Sequence, residues 1–214
     1  MKSYGQLCSV ALALDVVGDR WTMLVIRELL IAPQLRFSDI RQSLPGVASN
    51  LLTQRLRELE ANDIVRRESA VPPATGSLYA LTDRGRQLEG VVRELMRWGA
   101  PGVASAPVDA IFQMHWLSMP ARALARDNAP HDPAVTVRFG DSTDGFDLTA
   151  AAGTISVSPS LPATAPGAIV RGPGHVLVGL FQGAVELTPA LSMGVEIDGD
   201  PNAVTRILPA KQSR

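Results

Sequence analysis

The sequence predicts an α+β chain in two parts, a helical first half closed by a β-hairpin and a second half of short strands with helices. Three observations carry this. Leu52, Leu56 and Leu59 recur at helical spacing opposite a polar face. Ala134–Phe139 and Phe146–Ala150 alternate apolar and polar residues, as half-buried strands do. Between these regions the stretch Gly99–Pro107 is built of small residues and proline, the composition of a domain junction. The predicted domains are residues 1–105 and 106–214.

In the first part, Ser9–Val17 reads as a helix stopped by Gly18, and Asp19 as the N-cap of a second helix, Arg20–Ile31, ended by Pro33. Ser38 is expected to cap a short helix through Leu44, and Pro45-Gly46 to make a turn. Ser49 opens a longer helix over residues 49–61. Ile64–Glu68 and Ser77–Leu81 read as strands around a loop containing Pro72-Pro73, and Thr82 as the cap of a long helix, Asp83–Trp98. Helix, turn, longer helix and hairpin in that order make a winged helix-turn-helix, with the wing over residues 66–80.

The chemistry concentrates on the helix after the turn. Its leucines face inward against Ile40, Leu44 and Val47, while Ser49, Asn50, Thr53, Gln54 and Arg57 face the other way. Short or planar hydrogen-bonding side chains at the N-terminal half of such a helix suit base edges: Asn and Gln pair bidentately with adenine, Arg with guanine. Arg36, Ser38, Arg66 and Arg67 are candidates for phosphate contacts. A plain amphipathic helix would also carry a polar face, but here the acidic residues, Glu58 and Glu60, come only at its C-terminal end.

Bulk charge alone argues weakly. The chain of 214 residues has a net charge of −1. Residues 1–105 hold 13 Lys+Arg against 11 Asp+Glu, and residues 106–214 hold 7 against 10, so a slightly basic half precedes an acidic one. No apolar run reaches the length of a membrane span, and no basic-then-apolar leader is evident, so a cytoplasmic location is expected. The single cysteine, Cys8, excludes an intrachain disulfide.

Residues 8–100 resemble the HxlR-type winged-helix regulators of bacteria. The resemblance lies in Cys8, Ala11–Thr22 with its Gly-Asp-Arg-Trp-Thr step, Ile26–Leu29, Arg36–Ile40, Leu44–Val47, Leu52–Glu60 and Tyr79–Gly85. It implies a transcriptional regulator, taken here as a repressor, that binds operator DNA as a homodimer joined through terminal helices. Leu7, Val10, Leu14, Leu95 and Trp98 suit that role. It also makes Cys8 a candidate redox sensor; the alternative is a small buried apolar residue at a helix start.

In the second part Val108–Ala125 reads as mainly helical, interrupted at Pro120. Strands are expected at Ala134–Phe139, Phe146–Ala150, Thr154–Ser158, Ala168–Arg171 and Val195–Asp198, and helices at Gly174–Val185, Thr188–Met193 and near the C-terminus. Residues 134–208 resemble the sterol-carrier-protein-like fold, mainly through Ala168–Pro173, Leu177–Gly183 and Val195–Asp200 with Ala203. The resemblance implies a sheet covered by helices with an apolar cavity between them. Leu177, Leu180, Phe181, Leu187, Leu191 and Met193 could line such a pocket for a hydrophobic small molecule, or simply form the core.

Nothing points to an enzyme, a metal or a cofactor. His115, His131 and His175 are far apart and lack ligand spacing. Asp141, Asp144 and Asp147 have the wrong pattern for a calcium loop and read as turn residues. The rival to a DNA-binding regulator is a hydrophobic-ligand-binding protein whose winged helix serves protein contacts.

Overall fold

The computed structural model describes residues 3–69, 76–107, 109–141, 143–160 and 165–209. The chain divides into two compact units, Met1–Leu95 and Met96–Arg214. Among the described residues no helix is long and apolar enough to cross a membrane.

The first unit begins with α1 (Ser9–Val17) and α2 (Thr22–Ile31). Gly18 ends α1 as expected, its N–H bonded to the Leu14 carbonyl. The expected cap of α2 is wrong: Trp21, not Asp19, holds the N-cap position, with a left-handed backbone at φ 77°. The Asp19 carboxylate is instead engaged by Arg55, which leaves it unavailable as a cap. Strand β1 (Leu35–Arg36) leads into α3 (Phe37–Ser43). Ser38 lies inside the first turn of α3 rather than capping it. The cap interaction comes from Asp39, whose carboxylate accepts the Arg36 N–H at 3.0 Å, and Ser38 donates to the other Asp39 oxygen.

Helix α4 (Ser49–Ala61) is followed by β2 (Val65–Ser69) and β3 (Ser77–Leu81). These strands and β1 form one antiparallel sheet in the order β1-β3-β2. The loop with Pro72-Pro73 lies outside the described residues. The predicted long helix Asp83–Trp98 is two helices, α5 (Asp83–Arg86) and α6 (Glu89–Gly99). Thr82 does cap α5, accepting the Gly85 N–H at 3.0 Å. Tertiary contacts hold that turn apart from α6. Gly85 sits so close to the Ile64 carbonyl that a Cβ would stand 2.1 Å from its oxygen, and Arg86 donates to the Leu81 carbonyl. The unit closes on a core that includes Val25, Ile26, Leu29, Ile40, Leu44, Leu52, Leu56, Leu59, Ile64 and Leu81.

In the second unit the segment predicted as mainly helical, Val108–Ala125, is helical only in its second part; residues 109–113 are irregular and Val108 lies outside the described residues. A 3₁₀ turn, Met114–Leu117, runs into one short helix, α7 (Ser118–Leu124), and a separate 3₁₀ turn, Ala100–Ser105, precedes the segment. Pro120 does not interrupt α7. It occupies the first turn, where backbone N–H groups have no intrahelical partner to lose.

Strands β4 (Val135–Gly140), β5 (Gly145–Ala151), β6 (Thr154–Pro159), β7 (Ala168–Arg171) and β8 (Glu196–Gly199) form a mixed sheet in the order β6-β5-β4-β7-β8. The β4–β7 pair is parallel and the others antiparallel. Helix α8 (Gly174–Phe181) is shorter than expected and is followed by α9 (Leu187–Ser192) and α10 (Pro201–Ile207). Val137, Phe139, Phe146, Leu148 and Val170 of the sheet pack with Leu177, Leu180 and Phe181 of α8 and with Val204 and Ile207 of α10. The Phe139 ring lies 5.4 Å from that of Phe146 and 5.1 Å from that of Phe181, between centroids.

Strand alternation sends Arg138 away from that core, yet it is buried. Its Nε and an η nitrogen donate to both oxygens of Asp147 across the β4–β5 pair, at 2.7 and 2.8 Å. Asp147 is therefore a strand residue, not the turn residue the sequence suggested. Asp141 does lie in the turn: its carboxylate accepts the Thr143 hydroxyl and then the Asp144 and Thr143 N–H groups, which hold its pKa down to about 2.

Candidate nucleic-acid interface

The turn before α4 is made by Pro45-Gly46, and Gly46 adopts φ 87°, a conformation that favours glycine. Val47 donates back to the Leu44 carbonyl and packs inward, and α4 starts two residues later. Leu52, Leu56 and Leu59 are at most 1% exposed. This seam fixes the rotation of α4, so the other face must look outward.

That face holds the predicted residues. Ser49, Asn50, Gln54 and Arg57 are exposed and Thr53 is half-buried. Asn50 accepts the Leu51 N–H through its side-chain oxygen, and the Thr53 hydroxyl donates to the Ser49 carbonyl, both local bonds that a partner can compete for. Gln54 donates to Glu58 at 3.0 Å. The Arg57 side chain makes no hydrogen bond or ion pair among the described residues.

The flanking residues divide. Ser38 is exposed at the start of α3, and the Arg36 guanidinium lies beside Gly76 at the start of the hairpin's second strand. Arg67 is exposed and donates from Nε to the Ser77 hydroxyl across the hairpin. Arg66 is the most constrained, paired with Glu68 and donating to the Leu81 carbonyl. Two arginines went unassigned from sequence. Arg41, at the end of α3, reaches the Ser49 hydroxyl at 3.2 Å and adds a cation at the start of α4. Arg55, on the flank of α4, is nearly buried and bonded to Asp19 and Glu58. Neither could be found from periodicity, because Ser49 and Asp19 come from other elements.

The HxlR-like helix-turn-helix family model matches residues 16–105, which contain all nine predicted DNA-contacting residues. The chain is 38% identical over 94 residues to the HTH-type transcriptional regulator YybR of Bacillus subtilis, covering 43% of this chain and 73% of that protein. The chain belongs to the HxlR-like helix-turn-helix family. It is a DNA-binding transcriptional regulator. Other relatives are YodB of Bacillus subtilis, 35% identical with 40% of this chain and 76% of that protein covered, and a regulator of Methanothermobacter thermautotrophicus, 37% identical with 44% and 70% covered. These alignments cover less than half of this HxlR-family chain.

Outside the HxlR match, Cys8 is exposed at the N-cap of α1, not buried. The N–H groups of Ala11 and then Val10 favour the thiolate and lower its pKa. In the second unit the structure distributes the six candidate pocket residues. Leu180 and Leu187 line a pocket of ≈ 310 Å³ with Asn128, Gly183, Val185 and Leu208. Leu177 and Phe181 are sealed in the core, and Leu191 and Met193 lie exposed, 45% and 47%.

Proposed function

We propose that this regulator reads operator DNA by placing α4 in the major groove. Asn50, Gln54 and Arg57 reach base edges, and Ser49 and Thr53 support them. Arg36, Ser38, Arg66 and Arg67, joined by Arg41, contact phosphates beside the groove. The observation that carries this reading is the exposed hydrogen-bonding row at the N-terminal half of α4, held outward by three buried leucines.

Two copies pair through the exposed apolar residues of α1 and α6. Val10, Leu14 and Leu95 are 64%, 43% and 49% exposed, an unusual cost for a lone monomer. A two-fold dimer would place two reading helices on successive major-groove faces of a palindromic operator and act there as a repressor. The second unit, with its five-stranded sheet covered by helices, is a sterol-carrier-like module. Its Leu180–Leu187 pocket takes a small hydrophobic effector that changes operator occupancy. Cys8, exposed and of lowered pKa, is a second input sensitive to oxidants.

The test is an electrophoretic shift of full-length protein on duplex DNA flanking its gene, against unrelated duplex. Sequence-specific binding is expected, with complexes spaced as a dimer on two half-sites. Equal affinity for both duplexes across a salt series would overturn the proposal.

A further inference from the structure

On α4, the exposed amide of Gln54 is not a free rotor. Its Nε2 donates to Glu58 Oε1 at 3.0 Å. The other carboxylate oxygen of Glu58 accepts from an η nitrogen of Arg55, and that same nitrogen also donates to Asp19 in the turn between α1 and α2. The Arg55 side chain is only 11% exposed. An ordinary i,i+4 Gln–Glu bond on a helix surface swings with both side chains and contributes little. This one is anchored through a nearly buried guanidinium to a different element.

We propose that the chain Asp19–Arg55–Glu58 is a positioning device that fixes the Gln54 amide and makes it an adenine reader. This rests on the reading of α4 as the groove helix. An ionised carboxylate only accepts hydrogen bonds, so the amide nitrogen of Gln54 must face Glu58. One N–H is consumed there. The oxygen and the second N–H remain, one acceptor beside one donor. Adenine presents the complement in the major groove, the N6 donor beside the N7 acceptor. Guanine presents two acceptors, O6 and N7, and the held oxygen of Gln54 would face O6 without a proton between them. Without the clamp the amide can turn over and present its nitrogen to either purine, so discrimination falls while contact persists.

The experiment is selection of a randomised duplex library by full-length protein, followed by relative affinities at every operator position for wild type, Gln54→Ala, Glu58→Ala and Asp19→Asn. Circular dichroism at the assay temperature confirms that each variant is folded. Wild type should show one position per half-site with adenine preferred over guanine by about tenfold, and Gln54→Ala should lose that preference. Glu58→Ala should cut it to about threefold or less, with other positions unchanged, and Asp19→Asn should shift it the same way by less. A folded Glu58→Ala that keeps the adenine preference within twofold of wild type overturns the inference, as does a Gln54-dependent position that selects another base. A wild type that selects no base anywhere overturns the underlying reading of α4 as well.

Discussion

The two units spend their polar side chains in opposite ways. In the first, Ser49, Asn50, Gln54 and Arg57 are exposed on a helix whose only buried contacts on its inner face are leucines. In the second, the most elaborate polar groups are turned inward and consumed. Arg138 and Asp147 are 7% and 5% exposed and bind each other bidentately. Arg206 and Asp127 are 9% and 0% exposed, and Arg206 also donates to the Pro133 and Asp132 carbonyls. The difference teaches which hydrogen-bonding capacity is available to a partner. A side chain with outward, unspent donors and acceptors recognises; a side chain whose bonds are closed inside the fold holds strands and loops together.

Five substitutions would break or sharpen that contrast, from the largest expected effect to the smallest. Asp147→Ala leaves the Arg138 guanidinium buried opposite an empty position and should destabilise the second unit by about 3–5 kcal/mol in a denaturant titration. If operator affinity of the folded protein fell as much, the separation of roles would be wrong. Leu56→Ala removes a fully buried side chain from the inner seam of α4 and should cost about 2–5 kcal/mol in the stability of the first unit. Asn50→Ala and Arg57→Ala should behave in the reverse manner. Stability should change by no more than about 0.5 kcal/mol, while discrimination at one operator base should fall by about 1–3 kcal/mol. Thermal unfolding and electrophoretic titration on operator variants read the two quantities separately. Arg67→Ala should weaken binding uniformly across sequences and reduce the salt slope by about one, the behaviour of a phosphate contact.

Acid provides a further probe of the second unit. The Asp127 carboxyl is held down to about 2 chiefly by its hydrogen bond from Arg206, helped by the Gly153 and Ala129 N–H groups. Its folded pKa lies below the ordinary 3.8, so its stabilisation is complete above pH 4 and is lost as pH falls from there towards 2. The unfolding temperature of wild type should drop through that window, and Asp127→Asn should start lower at neutral pH and drop less. A parallel fall in both proteins would show that other carboxyls, Asp141 among them, set the acid limit.

Much of the candidate surface on α4 was legible because its signals are local. The turn at Pro45-Gly46, the leucine seam and the polar row follow from residues within four positions of each other, and β3 falls at Ser77–Leu81 as expected. Failures occurred where a distant residue intervened. Asp19 has an N-cap composition, but Arg55 draws it away across 36 positions, and Trp21 takes its place. Thr82 does cap a helix, yet Gly85 against Ile64 and Arg86 on Leu81 pin that helix as a single turn. Val108–Ala125 has the composition of one buried helix, but among its described residues only Ser118–Leu124 is α-helical. Phe112, Met114 and Leu117 reach the second core without a continuous helix to carry them.

By itself, then, the sequence determined that a helix with a hydrogen-bonding face follows a tight turn and precedes a hairpin. Helical and strand periodicities are properties of neighbouring residues, and burial of one face compels exposure of the other. Only the tertiary structure decided how that face is held and where the second unit spends its charges. The links Asp19–Arg55–Glu58–Gln54, Arg138–Asp147 and Asp127–Arg206 join elements that no period connects. Each depends on two chain segments being brought within hydrogen-bond reach, which happens only after the apolar seams have set the packing.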